Sequence, residues 1–489
     1  MSDESPSTNA SASPGSPGPK AQSAGRGLAF ITLAKLWFMV GGAAISFLLP
    51  RMFPKAVGVE RYGQWGTVLA WMSVLNNVIV TGSIQMVSRF ASRGPGWVEG
   101  TKRAALRVNA VAVVAIAALY FTAAPFIADW EHDAKLAPLL RLSTGVILCY
   151  GLYAVFVGAA NGAREFHKQA GLDIGFTTLR ALLVLAGAAV FGSVAGSVGG
   201  FVSAAATILV ASVLVVGWRA PAERPRAMEL VRFIVPVALY LVVLNALMFV
   251  DYWWLKRLLA EGALAAGAIP ADAARLADAA VGKYNAALQI ARLPYQAILA
   301  VTFVIFPLVS QAEFASDATK TREYITKSIR LSLLVVTALA TTVAARPEAL
   351  LALLFPKNAA GVNEYLQGAP ALAALMFAYV AFSLFSIAGT IMNGAGLTKT
   401  AMLIGFSTLA LDALANRAAI DRALADGTNP LAAAALASAL SIGAGFITSL
   451  VALQRSFGAS LPLKTAGRVL LAAALGVLAG HLLPATLPG

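Results

Sequence analysis

The chain has 489 residues, 59% of them hydrophobic and only 12% charged, with a mean hydropathy of +0.76. Soluble domains carry about 25% charged residues, and no aqueous core could hide this much apolar surface, so the solvent of the fold is mostly lipid. The net charge of +14 would suggest nucleic acid in a soluble protein; here it reads as the basic bias of membrane loops, and no nucleic-acid partner is expected.

A single cysteine, Cys149, excludes an internal disulfide, and three scattered histidines (His132, His167, His481) give no metal-ligand spacing. No metal and no cofactor is expected.

Residues 1–27 are rich in Ser, Pro, Gly and Ala and cannot bury enough surface to order themselves, which predicts a disordered cytoplasmic tail. No short apolar core with a cleavage site follows it, so it does not read as a signal peptide. A crossing helix needs about 20 apolar residues. The first series of such runs lies near 28–50, 64–88, 104–128, 138–160, 170–192 and 194–217. The second lies near 229–256, 282–309, 326–345, 367–393, 398–416 and 430–453, and a last run covers 466–486.

The reading is an all-α polytopic membrane protein with two six-helix lobes, 28–217 and 229–455. A basic cytoplasmic linker, 218–228, joins them, and an additional helix follows at 466–486. Paired six-helix series suggest pseudo-twofold symmetry around a central cavity. With the N-terminus inside, the cytoplasmic loops collect Arg89, Arg93, Lys102, Arg103, Arg219, Arg224 and Arg226 among others, as the positive-inside rule requires. The segment PEALLALLFP (347–356) is too short to span and predicts a helix lying at the interface.

Three basic residues lie well inside these runs, away from their ends: Lys35, Arg180 and Arg292. A charge at that depth costs at least about 2.5–3.5 kcal/mol, so it faces a protein interior or a wet cavity and meets a partner there. Basic groups in a cavity suit a negatively charged cargo. Lys35 lies about 10 Å into the first span, within snorkelling reach of the surface. Arg180, near the middle of the fifth, is harder to explain that way.

Arg292 is followed by Pro294 and Pro307, which break the hydrogen-bond ladder of their helix. Asp173, Asp251 and Asp412 are candidate charge partners or proton or cation sites; the run DYWWLKR around Asp251 also reads as an outer aromatic belt. Asn76, Asn77, Tyr284 and Asn285 are polar groups in or near spans that hydrogen-bond between helices. No GxxxxGK[ST] loop occurs, so the chain is not expected to hydrolyse ATP.

Four segments carry a resemblance. LLPRMFPKAVGVERYGQW (48–65) is similar to a first outer loop with a Tyr-Gly pair opening the second helix, and IQMVSRFAS (84–92) to the end of that helix. ARLPYQAILAVTFVIFPLVS (291–310) is similar to an eighth helix with Arg, Leu-Pro and a later Pro in order; IAGTIMNGAGLTKTAM (387–402) is similar to a tenth-to-eleventh helix connection. Together, over most of 28–455, the chain resembles the polysaccharide flippase branch of the multidrug/oligosaccharidyl-lipid/polysaccharide exporter superfamily.

That resemblance implies transport of a polyprenyl-diphosphate-linked oligosaccharide from the inner to the outer leaflet of a bacterial cytoplasmic membrane by alternating access. It carries no enzymatic step. Arg292 matches the eighth-helix arginine and Lys35 a basic first-helix position. With Arg180 they would hold the diphosphate, while Asn76, Asn77, Tyr284 and Asn285 offer contacts to sugar hydroxyls.

Expected partners are the bilayer, the lipid-linked oligosaccharide, and polysaccharide polymerase or export proteins. One rival reading is a drug or cation exporter of the same superfamily, whose cavity would need carboxylates rather than arginines. Another is a membrane polymerase or ligase, which needs a catalytic outer loop; the longest outer loop, 257–281, is mostly Ala, Leu and Gly.

Overall fold

The computed structural model describes residues 19–296, 318–458, 461 and 463–482. In chain order the helices are α1 (Pro19–Met52), α2 (Gly58–Ala91), α3 (Pro95–Trp130), α4 (Leu136–Gly162), α5 (Phe166–Phe191) and α6 (Val194–Val216). Then come α7 (Ala227–Ala246), α8 (Val250–Ala265), α9 (Pro270–Ala291), α10 (Ala318–Ala344) and the short α11 (Pro347–Leu354). A 3-10 turn (Glu364–Gly368) leads into α12 (Ala369–Gly394), α13 (Thr398–Ala425), α14 (Pro430–Phe457) and α15 (Leu463–Leu482).

Eleven helical stretches among the described residues are long and apolar enough to cross a membrane, and they coincide with eleven of the expected runs. Of the other two runs, 282–309 lies partly outside the described residues, Pro307 included, and 466–486 is helical as α15. Large apolar side chains cover the outward faces, among them Val111, Leu119, Phe126, Val190, Leu214 and Leu440. Such a surface has lipid as its natural solvent.

Three expectations need correction. The first helix starts at Pro19, so residues 19–27 of the expected tail are helical. Once the apolar helix exists, each added N-terminal residue gains a hydrogen bond without a new nucleus, and proline is favoured at the start. The run 229–256 is not one helix: it breaks at Leu247–Phe249. Arg292 Nη2 donates to Met248 O at 3.0 Å, so a side chain satisfies a carbonyl at the break. The eleventh run extends past 416, as α13 to Ala425.

Helices α1–α6 pack mainly on one another, with α2 on α4, α3 on α4, α1 on α5, and α5 and α4 on α6. A second group forms from α12 on α14, α13 on α14 and α8, α10 on α12 and α15, and α8 on α9. The two groups meet where α2 packs on α9 and α7. Glycines set the closest approaches. A methyl on Gly63 of α2 would stand 1.9 Å from the Asp278 carbonyl oxygen, and one on Gly282 of α9 2.2 Å from that of Val59. The two backbones touch with no side chain between them, as small residues permit in membrane packing.

Candidate functional site

Lys35 and Arg180 lie along the α1–α5 contact, and Arg292 lies at the end of α9. Lys35 Nζ is 3.2 Å from Asp173 Oδ2, an α1–α5 ion pair with the lysine side chain 51% exposed. Arg180 of α5 has no such partner. Its guanidinium carbon lies 4.8 Å from the Phe38 ring centre, 5.6 Å from Phe176 and 5.7 Å from Phe201. Its Nε is buried without a hydrogen bond, and no carboxylate among the described residues pairs with it. Aromatic faces attract the cation but do not neutralise it.

Arg292 sits where α9 ends, two residues before Pro294, so the expected break in that ladder is present. Its Nε donates to the Tyr379 hydroxyl at 2.8 Å and Nη2 to Met248 O, while the guanidinium lies 4.6 Å from the Phe249 ring centre. Every one of these partners is neutral. Asp251 does not pair with it directly: that carboxylate accepts from Tyr284 Oη at 2.6 Å and from the Tyr252 amide at 2.7 Å.

One hydrogen bond fixes the relation of the two arginines. Ser46 Oγ of α1 lies 3.1 Å from Gln289 Oε1 of α9. Arg292 is three residues beyond Gln289, and Arg180 reaches α1 beside Gly42, four residues before Ser46. Both arginines therefore lie within about one helical turn of the Ser46–Gln289 contact.

Of the candidate sugar contacts, Tyr284, Asn285 and Asn76 are buried. Tyr284 is committed to Asp251, and Asn285 points to Tyr62 O at 3.5 Å and accepts from Gln289 at 3.0 Å. In this arrangement all three are packing residues. Asn77, which donates to Asn245 at 2.9 Å across the α2–α7 contact, remains exposed.

Asp412 and Asp251 lie in the second group. Asp412 Oδ1 accepts from Ser441 at 2.5 Å and Asn416 at 3.0 Å; its Oδ2 and Asn416 Oδ1 are buried without partners. Asn416 also donates to Ser438 at 3.0 Å, and Ser438 shares a small cavity with Asp251, Met248 and Tyr379. Six oxygen-bearing side chains, with Tyr379 the one that also meets Arg292, thus gather in and around this cavity. Among the described residues, no group of three or more His, Cys, Asp or Glu side chains could hold a metal ion.

A second charged cluster joins the two groups at the α8–α9 end. Lys256 of α8, 0% exposed, lies 2.9 Å from Asp133 Oδ2 in the α3–α4 loop and 2.8 Å from Asp278 Oδ1 of α9. Glu131, in the same loop, accepts from Trp71 Nε1 of α2 at 2.7 Å. Burial pushes the Glu131 carboxyl up to about 8, with Lys256 opposing the shift and Asp278 and Asp133 adding to it. Trp253 stacks on Trp71 with ring centres 4.4 Å apart, and Trp254 meets Trp130 edge-on at 5.7 Å. These tryptophans fill the seam rather than forming a lipid-facing belt.

Residues 24–313 match the family model described as polysaccharide biosynthesis protein. The chain belongs to that family. It is therefore a multi-pass membrane protein of polysaccharide biosynthesis. No curated protein matches the chain.

Among solved structures, the fold is similar to that of a lipid II flippase, MurJ, in an inward closed conformation. That pair shares 12% identity over 93% of this chain and 91% of that one, with a TM-score of 0.68. It is also similar to an inward-facing multidrug resistance MATE family transporter of the MOP superfamily, at 15% identity, 90% and 96% coverage and a TM-score of 0.61. A MOP superfamily transporter from Pyrococcus furiosus, described as having a binding pocket of reverse polarity, gives 12% identity, 88% and 93% coverage and a TM-score of 0.53.

In this member of the polysaccharide biosynthesis family, the Lys256 cluster could not be read from the sequence. Residues 131, 133, 256 and 278 share no spacing, and Lys256 ends an apolar run beside two tryptophans, where a lysine ordinarily reaches for water. The one available signal was the pair of acids immediately after Trp130, at a helix end where a lone surface carboxylate would be unremarkable.

Proposed function

We propose that this transporter moves a polyprenyl-diphosphate-linked oligosaccharide from the cytoplasmic to the outer leaflet of a bacterial cytoplasmic membrane, with its N-terminus cytoplasmic. One observation carries the reading: Arg180 and Arg292 lie near the Ser46–Gln289 contact, and neither has a carboxylate partner among the described residues. An arginine left without a counter-charge at such depth is costly. A diphosphate crossing between the two helix groups supplies that charge, and guanidinium forks match phosphate oxygens bidentately. Lys35, already paired with Asp173, is a weaker contact that hands the headgroup inward from the surface.

The drug-exporter alternative needs carboxylates free to meet a cation. Here Asp173 is committed to Lys35 and Asp251 to Tyr284. Asp412, Asn416, Ser438 and Asp251, lying behind Arg292, suit a bound proton or small cation that couples transport to an ion gradient.

The test is flipping per folded molecule in proteoliposomes. Losing one charge-assisted contact costs about 1.5–3 kcal/mol, so Arg180→Ala and Arg292→Ala should each weaken cargo binding by about one to two decades. The Lys variants keep the charge and should be impaired less. Full per-molecule activity in both Ala variants overturns the reading.

A further inference from the structure

The Lys256 cluster contains more acid than base. Facing Glu131 are Lys256 and Tyr252 from α8, Asp278 from α9 and Asp133 from its own loop. From α2 comes only the Trp71 indole. Just beyond, Glu261 meets Arg257 and His132, while Arg257 also donates to Trp130 O.

Inside, one ammonium serves two aspartates: Asp133 and Asp278 each take a direct hydrogen bond from Lys256. Glu131 receives none. It is 0% exposed, and among the described residues its Oε1 has a single neutral donor and its Oε2 has none. A carboxylate ion cannot sit there without a large desolvation cost, and a third negative charge beside Asp133 and Asp278 compounds it. A neutral carboxylic acid fits.

The cluster also spans both helix groups. Asp133 and Glu131 belong to the α3–α4 loop and Trp71 to α2, whereas Lys256 and Asp278 belong to α8 and α9. Around it the same end is stitched by Arg275 to Glu60 through two hydrogen bonds of 3.2 Å, by Tyr252 to Gly63 O at 2.7 Å, and by Arg51 to Leu354 O at 2.7 Å. Separating the groups at this end would bring water to Glu131.

We propose that Glu131 is a proton-binding site built into this closure, carrying a proton while the two helix groups meet at the α8–α9 end and releasing it to the solution on that side when they part. This goes beyond cargo binding and stands whatever the cargo is. It adds a proton site separate from Asp251 and Asp412.

The sign follows from linkage. The closed state holds the proton up to about pH 8, while a water-exposed glutamate loses it near 4.5. Closure is therefore strongest below pH 4.5 and weakens as pH rises to about 8, with the closed-to-open ratio falling up to tenfold per pH unit within that window.

Spin labels at Ala134→Cys and Ala266→Cys, in a Cys149→Ala background of the full chain in liposomes without cargo, report the distance across this end. Wild type should populate the short distance at pH 5 and lose it progressively toward pH 8. Glu131→Gln, which fixes the neutral form, should hold one distribution at every pH. Infrared titration supplies a second readout: a buried carboxylic-acid C=O band that vanishes with rising pH in wild type and is missing in Glu131→Gln.

Should Glu131→Gln not fold, Trp71→Phe serves. It removes the one donor to the ionised form and should carry the transition to higher pH. A wild-type distance independent of pH, a pH response retained in Glu131→Gln, or an unmoved transition in Trp71→Phe each overturns the proposal.

Discussion

Lys256 and Arg180 meet the same physical problem in opposite ways. Both are cations withdrawn from water, but Lys256 has two carboxylates in direct contact, whereas Arg180, among the described residues, meets aromatic rings and no carboxylate. Breaking a buried ion pair by removing one partner leaves the other charge stranded, at about 3–5 kcal/mol. Lys256→Met should therefore lower thermal stability steeply, and adding Asp133→Asn with Asp278→Asn should restore most of it, since removing all the charges together is often neutral. A triple variant no more stable than Lys256→Met would show that the cluster is not a charge-balanced unit. Arg180→Met carries the opposite expectation, with little lost stability because no acid is orphaned. The depth of Arg180 and Arg292 was legible from their place in apolar runs, because a charge in lipid is conspicuous. Their lack of acidic partners among the described residues was not, since that depends on which helices adjoin.

At the scale of elements, apolar length placed eleven crossings because the bilayer thickness fixes how much helix is needed. Breaks inside a run were less legible. The α7–α8 break contains no proline or glycine, and Arg292, which caps its Met248 carbonyl, lies 44 residues away. Close helix contacts are likewise decided by a few glycines whose partners the chain order hides. Gly63 and Gly199 make a contrasting pair. A methyl on Gly63 would strike the Asp278 backbone, while one on Gly199 of α6 meets nothing within 4 Å. Gly63→Ala must push α2 from α9, an overpacking cost of about 1–3 kcal/mol or more. Gly199→Ala should be neutral or gain up to about 1 kcal/mol of helix propensity. Melting curves of the two purified variants decide the matter, and equal midpoints would contradict the backbone contact.

Over the whole molecule, charge and closure are distributed unequally between the two ends. The end formed by the α2–α3, α4–α5 and α6–α7 segments carries Arg89, Arg93, Arg103, Arg219, Arg224 and Arg226. Its direct ion pair between the groups is Arg93 to Glu229 at 3.4 Å, with both side chains more than 40% exposed. Exposed pairs are worth about 0–1 kcal/mol. The opposite end is closed by the buried Lys256 cluster, the Arg275–Glu60 pair and the α2–α9 backbone contact. On the orientation proposed above the basic end is cytoplasmic, as the positive-inside rule predicts. The buried seam would then seal the outer face, and the proposed headgroup would reach Arg180 and Arg292 from the cytoplasmic leaflet. In a Cys149→Ala background, Ala220→Cys marks the basic end and Ala266→Cys the sealed one. An impermeant maleimide applied to intact cells should modify Ala266→Cys and reach Ala220→Cys only after the membrane is broken. The reverse pattern would turn the molecule over, make the sealed end cytoplasmic, and require the cargo to approach its arginines from the opposite leaflet.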